Sequence, residues 1–281
     1  MKKVKDFYKN IPFNYTDDTS VYINSIINSN QILEYLDLHN LLRKRNLFST
    51  SNEIKNVLEV GCGTGWLTNS IAYYYKKKIK SIDFTDKAVE TAKTVSEILN
   101  LEPKYETVDI FDYEDSSTYD LVISMGVLHH TYDCKKAFKK ISKFVKDKGY
   151  LYVGLYHLYG RRPMLKLLQG YAYWHGDKSS YNLFRKMNRA MEDKEHSYSW
   201  FRDQVIHPHE TQHTLEEIYN WTDEIGFKII STSINDYKPI KNFKKNELFK
   251  LEKEKEEYSY KTNVEDFKFT PGYFTVCAQK I

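Results

Sequence analysis

The side chains of this chain best suited to move a proton near neutral pH are histidines in two tight groups. His129 and His130 close the string Tyr119-Asp120-Leu121-Val122-Ile123-Ser124-Met125-Gly126-Val127-Leu128-His129-His130. His207, His209 and His213 fall within Asp203 to His213, and His157 ends the apolar run that starts at Tyr150. The second group contains His209-Glu210-Thr211-Gln212-His213, an H-E-x-x-H string, which binds zinc when both histidines share one face of a helix. Thr214-Leu215-Glu216-Glu217 is a capping box, so the helix starts after the string, which stays in a loop without a third ligand at a recognisable spacing. No metal is expected. Asp203, His207, His209 and Glu210 are grouped instead as a polar loop able to reach a bound reactant.

A binding element must bring a partner to these histidines. Ile54 to Val60 reads as a buried strand, Gly61-Cys62-Gly63-Thr64-Gly65 as a turn too tight for side chains, and Leu67 to Tyr75 has helical apolar spacing. Glycines without a Cβ let backbone amides and a helix N-terminus approach a nucleotide-like ligand closely. Glu59, two residues before the first glycine, suits a ligand with a cationic amino-acid head rather than a pyrophosphate. Asp83 ends a second strand about 20 residues after the glycines, where a carboxylate accepts from both ribose hydroxyls; Phe84 adjoins it.

The string Glu59-Val60-Gly61-Cys62-Gly63-Thr64-Gly65-Trp66 resembles the first motif of the class I S-adenosylmethionine-dependent methyltransferases. The resemblance implies cofactor contacts from Glu59, Gly61, Cys62, Gly63, Gly65, Trp66, Asp83 and Phe84. It places an adenine-binding acid, Asp109, after a third strand at Tyr105 to Ile110, with Ile110 against the ring. Tyr119 to Gly126 with the double histidine resembles the family's fourth motif, which sets Met125 beside the reactive methyl group. The resemblance covers 54 to 157 strongly and 213 to 281 weakly.

Strands alternating with helices imply an α/β fold. The expected architecture is a Rossmann-like doubly wound sheet of seven strands, mostly parallel with the last antiparallel. The site then lies at the carboxyl ends of the strands. Residues 51–157 and 213–281 form the core, and 1–50 a helical arm whose aromatics, including Tyr15, are read as a lid. Helical spacing runs from Ser20 to Leu47. Residues 158–212 are read as a helical cap over the acceptor, with Tyr156, Arg161, His207 and His209 as acceptor contacts. Residues 235–271 are a charged insertion whose run from Lys244 to Glu257 reads as a solvated helix face.

At 281 residues and 41% hydrophobic content the chain can bury a full core, and its formal charge of +4 gives no strong attraction to nucleic acid. Three scattered cysteines and no long apolar run fit a cytoplasmic protein with no membrane partner. The expected activity is methyl transfer from S-adenosyl-L-methionine to a small-molecule or glycan-type acceptor, at oxygen. His130 is the first choice as base, with His129 and His157 behind it. The rival readings are an RNA methyltransferase and a nonenzymatic cofactor-binding protein. The former is disfavoured by the absence of a basic stripe. Oligomeric state is not legible.

Overall fold

The computed structural model describes residues 2–9, 11–28, 54–191 and 193–281. The central strand β1 (Asn56–Val60) is apolar and buried after its first residue apart from Glu59, because both of its faces are covered. It lies between parallel strands β2 (Lys78–Asp83) and β4 (Tyr119–Met125). β3 (Lys104–Thr107) extends the sheet beyond β2, and β5 (Val145–Tyr156) beyond β4. β7 (Tyr273–Lys280) runs antiparallel between β5 and β6 (Phe227–Thr232). The order β3-β2-β1-β4-β5-β7-β6 is the expected Rossmann-like sheet of seven strands.

Helices cover both faces. On one, α3 (Trp66–Tyr75) buries Leu67 and Ile71 against Val57, Ile79 and Ile123. On the other, α5 (Cys134–Ser142) and α9 (Leu215–Glu224) bury Phe138, Ile141, Ile218 and Trp221. Each such side chain contributes about 1.5–3 kcal/mol of burial. The capping box at Thr214 and Glu217 is present, so the H-E-x-x-H string lies in a loop. The arm supplies α1 (Lys2–Tyr8) and α2 (Thr19–Ile27); the remainder of the helical stretch up to Leu47 lies outside the described residues.

Several expected boundaries shift. β3 stops at Thr107, because Asp109 turns the chain by accepting the Phe111 amide at 3.1 Å. α4 (Asp86–Ile98) starts after Thr85, with Asp86 in its first turn rather than as its cap. β5 begins at Val145, its pairing with β4 shifting register between Tyr119 and Leu121, and β6 ends at Thr232 in a short 3₁₀ turn.

Residues 158–205 form three helices, α6 (Leu158–His175), α7 (Asp177–Met187) and α8 (Lys194–Val205), around Met164, Leu168, Phe184 and Phe201. The charged run forms α10 (Lys245–Tyr260), which is not only a solvated face. Leu248 and Glu252 are buried, and Glu252 accepts the Leu215 amide at 2.6 Å. No described helix is long and apolar enough to cross a membrane.

Candidate active site

The glycine turn is dictated by sterics. Gly61 and Gly65 both have φ of +79°, and a Cβ would lie 2.3 Å from the Val127 side chain at Gly61 and 2.4 Å from Ala92 at Gly65. Only glycine fits either position. Gly63, at φ +51°, and Gly126, at φ +76°, face open space on the same rim. Asp83 steadies the turn by accepting the Gly63 amide at 2.9 Å through one oxygen and the Thr85 amide at 2.9 Å through the other. Glu59 is buried and accepts a hydrogen bond from Thr68; burial pushes its carboxyl up to about 7. Cys62 and Ile110 are buried, whereas Trp66, Phe84 and Met125 are half-buried.

Two of the three candidate base histidines are committed elsewhere. His157 caps α6, its Nδ1 accepting the Gly160 amide at 3.2 Å, and its Nε2 faces Glu252 at 3.4 Å. The ring of His129 stacks on Tyr156 at 3.8 Å and its Nδ1 accepts the Tyr156 amide at 3.3 Å, so its Nε2, though buried without a hydrogen-bond partner among the described residues, carries the proton and offers no lone pair. His130 differs. Its Nδ1 lies 3.0 Å from the carbonyl of His209, which can only accept, so Nδ1 carries the proton and Nε2 the lone pair. That Nε2 is buried without a hydrogen-bond partner among the described residues. Burial lowers the His130 pKa to about 4, so the ring is neutral at physiological pH.

Helix α8 and the loop after it close around this ring. Asp203, expected in the polar loop, sits on the last turn of α8, with one carboxylate oxygen 3.7 Å from His130 Nε2. It accepts from Tyr156 Oη at 2.8 Å and from Tyr8 of the arm. His207 packs 3.8 Å from the His130 ring, and His209 sits behind both, its Nε2 donating to the Thr131 carbonyl at 2.9 Å. Arg161 does not present its charge to a reactant. It is fully buried, lies 3.3 Å over the Tyr156 ring, and spends its donors on Glu210, Gln204 and the Pro271 carbonyl. The hydroxyl of Tyr156 is likewise engaged, by Asp203 and Gln204. Arg161 and Tyr156 form the wall behind the histidines.

The methyltransferase-domain family matches residues 51–263, well over half of the chain. The chain is a class I S-adenosylmethionine-dependent methyltransferase. A ubiquinone biosynthesis O-methyltransferase of Coxiella burnetii is 25% identical over 189 residues, 67% of this methyltransferase and 70% of that protein. A malonyl-[acyl-carrier protein] O-methyltransferase of Bacillus anthracis is 27% identical over 130 residues, 46% of each chain. The fold is shared with the plantazolicin methyltransferase BpumL bound to SAH, at a TM-score of 0.52 and 13% identity over 99% of this chain and 93% of that one. It is also shared with magnesium protoporphyrin IX methyltransferase of Synechocystis PCC 6803, at a TM-score of 0.51 and 14% identity over 100% and 94% of the two chains.

S-adenosylmethionine is the cofactor of this methyltransferase, and the rim fits it. Gly63 and Gly126 leave the space a Cβ would fill, while Glu59 and Asp83 are buried carboxylates suited to its ammonium and ribose. The arm lies against that rim: Lys5 pairs with Asp109 at 3.3 Å, Tyr8 packs on Phe84 at 6.1 Å, and Lys87 sits 3.9 Å over the Tyr15 ring. Tyr15, expected as an acceptor contact, thus lies beside the first turn of α4. Tyr8 was not legible as a site residue; its only signal was membership of an aromatic cluster.

Proposed function

We propose that this methyltransferase transfers a methyl group to an oxygen of a small molecule, with His130 as the base. The observation that carries this reading is the buried, unpartnered Nε2 lone pair of His130, five residues beyond the end of β4 at Met125. S-adenosylmethionine supplies an electrophilic methyl group on a sulfonium. The chain's own residues then have to bind it, align the acceptor and exclude water. Glu59 would hold the ammonium group, Asp83 the ribose hydroxyls, and Asp109 with Ile110 the adenine. The Cys62 backbone, Trp66, Phe84 and Met125 would line the remainder. Segment 2–22 acts as a lid, and α6 to α8 form the acceptor cap.

A small-molecule acceptor is supported by the relatives, whose names specify ubiquinone biosynthesis and malonyl-[acyl-carrier protein]. Nothing among the described residues favours a glycan over other hydroxyl compounds.

The test follows label from isotope-labelled S-adenosylmethionine into a cell extract of the source organism, comparing wild type with His130→Asn. Asparagine keeps a donor for the His209 carbonyl and removes Nε2. Transfer should fall about 10²- to 10⁴-fold with cofactor affinity unchanged. A variant that transfers label at the wild-type rate removes His130 as base.

A further inference from the structure

The atoms around His130 also specify what kind of group they receive. His207 Nδ1 accepts the backbone amide of His209 at 3.1 Å. An amide can only donate, so Nδ1 is unprotonated and the neutral ring carries its proton on Nε2. Burial lowers the His207 pKa to about 3, so the ring is neutral. Its Nε2, like that of His130, is buried without a hydrogen-bond partner among the described residues. The two rings lie 3.8 Å apart at 38°, and one loop residue fixes both: His209 accepts from His130 through its carbonyl and donates to His207 through its amide. Opposite tautomers follow. A lone pair on one side stands near a donor N–H on the other.

His130, His207 and Asp203 have ligand atoms within 4.8 Å of one another, the grouping of a two-histidine, one-carboxylate cation site. A cation needs a lone pair from both imidazoles. Here the hydrogen bonds give His207 an N–H at the position where it would have to coordinate. Ligation would cost the His209 amide its acceptor.

We propose that His130 and His207 together cradle the acceptor hydroxyl, the O–H donating to His130 Nε2 and the oxygen accepting from His207 Nε2–H. This rests on the O-methylation reading above and narrows the acceptor to a neutral alcohol or phenol. A carboxylate offers no proton to His130 and meets Asp203, whose oxygen stands 3.7 Å from His130 Nε2. An ammonium has no lone pair for His207. In the transfer, the acceptor oxygen forms a bond to the methyl carbon as the carbon–sulfur bond breaks. The bonding pair leaves on sulfur, giving neutral S-adenosylhomocysteine. The hydroxyl proton passes to His130 Nε2, where the Asp203 carboxylate faces the new imidazolium charge, and then to water. His207 keeps its bond to the oxygen throughout and orients it.

The test uses the full chain with nitrogen-15 histidine, saturated with S-adenosylhomocysteine, and phenol, benzoate and benzylamine as probes. Long-range nitrogen–proton spectra should place the proton on Nδ1 of His130 and Nε2 of His207. Phenol should shift the Nε2 signals of both rings saturably, and benzoate and benzylamine should leave them in place. His207→Asn, which keeps an acceptor for the His209 amide but loses the donor, should weaken phenol binding about tenfold; His207→Gln, which keeps a donor, should restore most of it. Four results overturn the cradle: a proton on His207 Nδ1, no saturable response to phenol, a response to benzoate or benzylamine in its place, or stoichiometric Zn²⁺ shifting both Nε2 signals. The tautomers are read on wild type, so misfolding of a variant does not decide the outcome. A cradle that passes while His130→Asn still transfers label refutes the base and leaves the binding site.

Discussion

At the scale of the residue, burial sets the protonation states on which the site depends. Glu59 has little water around it, and its carboxyl is pushed up to about 7. An ammonium ligand favours the ionised form, so proton and cofactor compete for this group. The folded pKa is raised, hence binding is strongest above about 7 and weakens as the pH falls through it. Calorimetric affinity for S-adenosylmethionine should fall up to about tenfold per unit as the pH drops below 7, while Glu59→Gln binds weakly at every pH. A wild-type profile flat down to pH 5.5 takes the ammonium away from Glu59. Sequence alone marked Glu59 and the glycines, because their roles are local: one turn, with no room for a Cβ. It ranked His130 ahead of His129 and His157 by its place in the motif, not by any difference in chemistry. His129, His130 and His157 read alike along the chain, and only the carbonyls and amides packed against each ring decide which nitrogen keeps a lone pair.

At the scale of the element, the arm and α8 act as one unit. Arg202 donates to the Phe7 carbonyl at 2.6 Å and the Ile11 carbonyl at 3.1 Å and lies 4.1 Å over the Phe7 ring. Trp200 donates to Asn14 at 2.9 Å, and Phe7 and Tyr8 pack on His207 at 4.9 and 5.3 Å. Charge-assisted hydrogen bonds of this kind contribute about 1.5–3 kcal/mol each. Arg202→Ala should therefore release the arm while leaving the sheet folded. We expect limited proteolysis to cleave within residues 1–22 at least tenfold faster, with the thermal midpoint of the core little changed and cofactor affinity several-fold weaker. Cleavage at the wild-type rate would show that Arg202 does not hold the arm. The arm was legible as an aromatic segment and a candidate lid. Its docking partner was not, since the Tyr8 bond to Asp203 joins positions 195 residues apart.

At the scale of the whole molecule, the buried neutral histidines make the fold sensitive to acid. His130 and His207 titrate at about 4 and about 3 when folded, against 6.5 ordinarily. Between those values the unfolded chain binds more protons, so this stability is complete above about pH 6.5 and is lost as the pH falls toward 4 and then 3. Glu59 and Asp203, whose carboxyls are raised by burial, act in the opposite sense. The histidine share is isolated by comparison with a His130→Asn, His207→Gln double variant. The wild-type thermal midpoint should drop steeply from pH 6.5 to 4 and that of the variant less so; equal slopes would mean that these rings are already protonated in the fold.

The sheet and the glycine turn are legible along the chain, and the cofactor follows from the family resemblance that the turn and its flanking acid carry. These rest on patterns repeated over short distances: apolar runs, periodicity of two or 3.6, and a turn that admits only glycine. Tertiary structure alone decided which polar groups remain available for chemistry. Along the chain Arg161 reads as an acceptor contact, whereas in the fold Glu210, Gln204 and the Pro271 carbonyl take up its donors. His157 looked like a base until its nitrogens were engaged by Gly160 and Glu252. The charged run of α10 looked solvated until Glu252 proved buried beneath it. The reason is physical. A side chain's capacity to accept or donate is what its partners leave over, and those partners come from segments far away in the chain.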